Sequence, residues 1–209
     1  MTTFKLNQRM NVMINFASPL CFNFLNIDND QLSNYCYSLR EKSKSDYIAG
    51  GWQSGMLDLT ATELSPLIKE IKAMIEDIND LYKLKREYTL KIQEGWINMN
   101  SPGSAQIPNN YYHLHPEKAI SFVYYVKAEE NAGNLMLISP NQMLEYVMPD
   151  QLFADTDMFN GSRTQVSPTV GKLIAFPSWL MHFAEANNSN SDRICIAFNA
   201  TVCNRVNNG

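Results

Sequence analysis

Between residues 65 and 82, apolar side chains return every three or four positions: Leu67, Ile68, Ile71, Met74, Ile75, Ile78, Leu81 and Tyr82. That spacing marks one face of a helix. Ser65 reads as its N-cap and Pro66 as its first residue, where the missing N–H costs nothing. A second helix is expected from a cap at Asp28 or Asp30 to about Glu41, with Leu32, Tyr35, Cys36 and Leu39 on one side. One-sided stripes need an apolar surface to cover, and a sheet face is the expected one.

The period then changes. Residues 17–27 read as an early strand, and Gly50-Gly51-Trp52-Gln53-Ser54-Gly55 as a loop or bent strand. After residue 88 the candidate strands are 94–100, 111–115, 119–127, 134–138, 144–148, 163–167, 172–176 and 193–202. Turn residues separate them: Ser101-Pro102-Gly103, Asn131-Ala132-Gly133, Asn160-Gly161 and the run Asn187–Ser191. Short strands punctuated in this way predict a mainly β sandwich or jelly roll with flanking helices. We expect one domain over 1–209, with a helical part at about 28–90 and a β core at about 94–203. Polar, Gly/Pro-containing stretches at 101–110 and 149–162 are candidate lids.

Composition narrows the functional classes. The chain has 209 residues, is 45% hydrophobic and 18% charged, and carries a formal charge of −4. Without a basic excess to neutralise phosphates, nucleic acid is not an expected partner. Lys83, Lys85, Arg86 and Lys91 read as a solvated helix end. The cysteines at 21, 36, 195 and 203 form no CxxC pair, so they are expected to be free thiols in a reducing compartment. No signal-like start and no run of 18 apolar residues is seen, so a soluble cytoplasmic protein with no membrane partner is expected. Oligomeric state does not follow from the sequence.

The chain has three histidines, and their placement is informative. His113 and His115 are two residues apart, so in a strand both imidazoles face one way. His182 follows Phe176-Pro177-Ser178-Trp179-Leu180, at the end of another expected strand. Two ligands from one segment and a third from a distant one can take three positions on one side of a metal and leave the others open. Arg193 opens the run Arg-Ile-Cys-Ile-Ala-Phe-Asn. Arg193, Cys195, Ala197 and Asn199 share one face, suited to a cavity wall. Ile194, Ile196 and Phe198 share the other, suited to a core. A guanidinium on the cavity wall can take a carboxylate in a bidentate contact.

These segments resemble the 2-oxoglutarate/Fe(II) oxygenase superfamily, and within it a prolyl-4-hydroxylase-like group of bacteria and bacteriophages. The resemblance rests on Gly50–Ser54, Trp96-Ile97-Asn98, His113-Leu114-His115-Pro116, Ile120–Val126, Gly133-Asn134-Leu135, Phe176–His182 and Arg193–Asn199. It implies a double-stranded β-helix, with His113 and His182 as metal ligands, Arg193 on the far carboxylate of 2-oxoglutarate, and O2 at the remaining position. It also implies a bacterial host cytoplasm if the protein is phage-encoded. His115 stands where the superfamily motif has Asp or Glu, which makes the expected metal set His113, His115 and His182; Glu117 is a fallback carboxylate. Phe122 replaces a usual glycine and is expected to narrow the pocket. Asn98, Tyr124 and Asn199 are candidate polar groups for the cosubstrate, and Trp179 reads as packing.

The leading reading is therefore a dioxygenase needing Fe(II), 2-oxoglutarate and O2, which hydroxylates an unidentified small-molecule or peptidyl substrate, prolyl among them by analogy. Two alternatives stand beside it: a non-catalytic jelly-roll binding module, suggested by the missing carboxylate ligand, and a metal-dependent cupin-like enzyme that does not use 2-oxoglutarate.

Overall fold

A computed structural model describes residues 3–7, 10–13, 16–43, 51–104, 112–157 and 159–205. In chain order the elements are β1 (Thr3–Asn7), β2 (Met10–Met13), β3 (Cys21–Phe24), α1 (Asn29–Lys42), β4 (Gly51–Gln53), α2 (Ser65–Leu81), β5 (Tyr88–Asn100), β6 (Ile120–Lys127), β7 (Leu135–Ile138), α3 (Gln142–Val147), β8 (Arg163–Val166), β9 (Lys172–Pro177), β10 (His182–Ala184) and β11 (Arg193–Asn204).

Asp28 caps α1: its carboxylate accepts the Gln31 N–H at 2.9 Å. The expected cap of α2 is displaced. A short 3-10 turn, Thr62–Leu64, runs into the helix, so Leu64 takes the cap position and Ser65 is already helical. On α2 the residues Leu67, Ile68, Ile71, Ile75 and Ile78 are buried. Together they contribute on the order of 10 kcal/mol of gross apolar burial, before conformational entropy. Leu81 and Tyr82 belong to the sequence stripe but are exposed, because the helix ends there.

Among the described residues, β3-β9-β6-β11-β5-β4 form the larger antiparallel sheet and β10-β7-β8 the smaller one, while β1 and β2 pair as a hairpin. Strand alternation divides the large sheet into two faces. Phe122, Tyr124 and Val126 of β6, Leu173 and Ala175 of β9, and Ile194, Ile196 and Phe198 of β11 pack with α1 and α2. The opposite residues, Tyr125, Ile174 and Phe176, meet Leu135, Leu137 and Val166 of the small sheet. Helices thus cover one side of the large sheet, and the small sheet faces the other. The site lies between the two sheets.

Several expectations are corrected. Residues 144–148 lie largely in helix α3, not in a strand. Met143, Tyr146, Val147 and Met148 are exposed there, and a helix satisfies its own backbone without a neighbouring strand. The expected strand 111–115 reduces to one bridge at His113, with residue 111 outside the described set. The strand expected at 17–27 is confined to β3. The elements β1, β2 and β10 were not anticipated. Of the candidate lids, 105–110 and 158 lie outside the described residues. Near 150 the chain makes a 3-10 turn, and Asp150 accepts a hydrogen bond from Ser162.

Candidate metal centre

His113 and His182 are neighbours because their backbones pair. His113 N–H donates to His182 O at 3.1 Å, and His182 N–H donates to His113 O at 2.9 Å. His115 is fixed on the other side, where its N–H donates to Ser178 O at 2.9 Å. The rings converge: centroids lie 4.2 Å apart for His113–His182 and 5.2 Å for both His113–His115 and His115–His182. One ring nitrogen from each lies within 4.8 Å of the others. Glu117 is exposed, sits at a left-handed φ of 67° and is not part of this group.

Protonation suits a cation. His182 Nδ1 lies 2.8 Å from Leu180 O. A carbonyl only accepts, so Nδ1 carries the hydrogen and Nε2 keeps its lone pair. Burial, and then the neighbouring His113, hold His182 down to about 3. Burial and His113 likewise hold His115 at about 4, with Glu94 opposing. These imidazoles are therefore neutral near pH 7.

That depression makes the metal-free fold acid-sensitive. Both folded-state values lie below the ordinary 6.5, so the unfolded chain binds more protons as pH falls through that range. The stability of the neutral pair is fully present above about pH 6.5 and is lost towards pH 3–4. We expect the melting temperature of metal-free protein to drop by on the order of 5 °C between pH 7.5 and 5. The double variant His115→Gln/His182→Gln should flatten the slope. An equally steep slope in that variant would assign the acid sensitivity to other groups.

The histidines open onto a cavity of ≈ 350 Å³ between the sheets, whose walls include Asn98, Tyr125, Arg193 and Asn199. Arg193 is 2% exposed. Its Nη1 donates to the carbonyls of Ala132 (2.6 Å), Gly133 (2.8 Å) and Glu185 (3.0 Å), and Nη2 donates to Asn100 Oδ1 at 3.0 Å. Gly133 makes that cradle possible. It has φ +82°, and a Cβ there would stand 2.2 Å from Ala186 O and 2.8 Å from Arg193 Nη1. The hydrogen-bond partners of Arg193 are neutral, so its charge is buried without an acidic partner among the described residues.

The remaining candidates divide. Asn98 borders the cavity beside Cys195. Asn199 does so too, accepting from Ser121 at 2.7 Å and donating to Glu94 at 2.9 Å. Tyr124 does not belong to the cavity: its hydroxyl donates to Asn29 of α1 at 2.8 Å, on the helix side of the sheet. The next residue along β6, Tyr125, lies on the cavity side and was missed. Ser121 and Val123, four and two positions before it on the same face, carried that phase in the sequence. Phe122 borders the cavity but packs in the helix-side core, so it fills that core more than it narrows the pocket. Gln53 also lines the cavity, while Trp52 is core and Trp179 is half exposed rather than packed.

A family model described as putative 2OG-Fe(II) oxygenase matches residues 94–199. The chain belongs to this family. It is a 2-oxoglutarate-dependent Fe(II) oxygenase, and the matched region runs from β5 to β11, spanning the three histidines and Arg193. No curated protein matches the sequence. Among solved structures, a prolyl-4-hydroxylase from Pseudomonas putida is similar with a TM-score of 0.60 and 15% identity, over 87% of this chain and 91% of that one. A viral collagen prolyl hydroxylase from Paramecium Bursaria Chlorella virus-1, in complex with 2-oxoglutarate, has a TM-score of 0.54 and 12% identity over 86% and 94%. HygX from Streptomyces hygroscopicus, with nickel, 2-oxoglutarate and hygromycin B bound, has a TM-score of 0.57 and 11% identity over 88% and 83%. At such identities the likeness is one of fold, the double-stranded β-helix.

The side chains fit the cofactors of the family. Three converging imidazoles suit a divalent first-row metal. A buried guanidinium without an acidic partner suits an anion, because an unpaired buried charge is expensive. No helix among the described residues is long and apolar enough to cross a membrane.

Proposed function

We propose that the chain hydroxylates a peptidyl side chain, prolyl among the candidates, with His113, His115 and His182 holding iron and Arg193 receiving the distal carboxylate of 2-oxoglutarate. The observation that carries this reading is that a three-imidazole cluster and a buried Arg193 without an acidic partner line the same cavity. When bound, the metal and cosubstrate supply the oxidation of an unreactive C–H bond by O2, releasing succinate and CO2. The chain's own part is placement. The Leu180 carbonyl orients His182, and the Ala132–Gly133 carbonyls aim Arg193. Asn98, Tyr125 and Asn199 line the space between as candidate partners for the cosubstrate. Phe176 and Leu135 add apolar surface to the cavity lining. A peptidyl substrate is favoured because the fold resembles two prolyl hydroxylases, with HygX as the small-molecule counterexample.

The test is an anaerobic titration of apo-protein with Fe(II) and 2-oxoglutarate, followed by succinate release against peptide and small-molecule panels. A weak visible charge-transfer band requiring both components, with succinate stimulated by peptides, is the expected result. Stimulation by small molecules alone would overturn the peptidyl assignment. An all-imidazole donor set also suits zinc. Metal bound with no band would therefore favour a metal-dependent enzyme that does not use 2-oxoglutarate.

A further inference from the structure

Three imidazoles leave a divalent metal without the anionic ligand that the HxD or HxE motif would provide. A nearby carboxylate can compensate without touching the metal, and Glu94 is placed to do so. It lies two residues before Trp96 on the same face of β5, and the Trp96 ring is 5.5 Å from the His115 ring.

Two chains of contacts lead from Glu94 back to the backbone of His115. In one, Glu94 Oε2 is 3.3 Å from Lys118 Nζ, and Lys118 N–H donates to His115 O at 3.3 Å. In the other, Glu94 Oε1 accepts from Asn199 Nδ2 at 2.9 Å, and Asn199 Oδ1 accepts from Ser121 Oγ at 2.7 Å. Ser121 Oγ meets Ser178 Oγ at 2.9 Å, and Ser178 O accepts the His115 N–H at 2.9 Å. The carboxylate is thus held from both sides beside one ligand. Its side chain is 22% exposed, so water screens it only in part.

We propose that Glu94 is a positioning residue of the metal centre, whose fixed negative charge beside His115 compensates the all-imidazole set and strengthens cation binding. The inference rests on the three-histidine reading above. The local electrostatics agree. Burial would raise the Glu94 carboxyl, but Asn199, Lys118 and His115 together hold it below its ordinary range, and it is ionised at neutral pH.

The experiment titrates full-length apo-protein with Co(II), read by visible absorption, in Glu94→Gln, Glu94→Asp, Lys118→Met and His182→Ala. Glutamine keeps an acceptor for Asn199 and removes the charge. We expect Glu94→Gln to weaken Co(II) binding about tenfold and Glu94→Asp to recover most of it. Lys118→Met removes the opposing cation and should tighten binding by about threefold. A merely structural ion pair would move the Gln and Met variants in the same direction. Equal weakening in both, or Co(II) affinity within twofold of the parent in Glu94→Gln, overturns the proposal. If Glu94→Gln does not fold, Lys118→Met decides: tighter binding supports the role, and unchanged or weaker binding refutes it. Full affinity in His182→Ala would instead remove the three-histidine reading, which separates the two failures.

Discussion

His182→Ala abolishes specific metal binding, with an expected loss of at least about 1,000-fold in Fe(II) or Co(II) affinity, on the order of 4 kcal/mol. His182 is the most buried of the three histidines, at 5% exposure, and its free nitrogen is selected by the Nδ1 contact with Leu180 O. No carboxylate stands in the described cluster to replace it. Alanine leaves the backbone bridge to His113 intact, since that bridge uses N–H and C=O groups alone. The folded protein should therefore survive while the cation is lost. Calorimetric titration of the apo-protein decides the matter, with thermal denaturation at pH 8 as the folding control. Retention of metal with undiminished affinity would mean that the cation binds elsewhere.

Arg193→Ala separates the cosubstrate from the metal. The side chain touches four neutral acceptors and none of the histidines. Its removal should raise the 2-oxoglutarate requirement about 100-fold, or roughly 3 kcal/mol, the scale for breaking a buried charge pair. Metal affinity should stay within a few fold. Stability should also fall by about 2–3 kcal/mol, because three carbonyls and the Asn100 amide oxygen lose their donor. Fluorescence quenching by 2-oxoglutarate in metal-loaded protein measures the first effect, and urea unfolding the second. Unchanged 2-oxoglutarate affinity would mean that a group other than Arg193 holds the distal carboxylate.

What the sequence discloses depends on how many constraints act on each residue. The β11 alternation was legible because one face is uniformly apolar and the other small or polar, so only one phase buries the right residues. The stripe on α2 was legible for the same reason, as far as its last turn. In Tyr124-Tyr125 both positions carry the same side chain, and the pattern around Tyr124 alone did not fix its phase; Ser121 and Val123 were needed for that. The α3 segment misled because Met143, Tyr146, Val147 and Met148 are apolar yet exposed, so their spacing records no core. Gln53 was invisible as a wall residue, because its place depends on β4 pairing with β5 across distant sequence. The gathering of His113 and His115 with His182 depends on a bridge that no local pattern announces.

That bridge has a mechanical side. The segment bearing His113 and His115 is joined to β10 by two backbone hydrogen bonds and to the turn after β9 by one, through Ser178. A cation shared by three imidazoles would rivet these places together. Loading would then slow amide exchange at His113, His115 and His182 together. Iron supply would set how long these segments stay joined as well as the chemistry, and the metal-starved protein would be the first to yield to a protease.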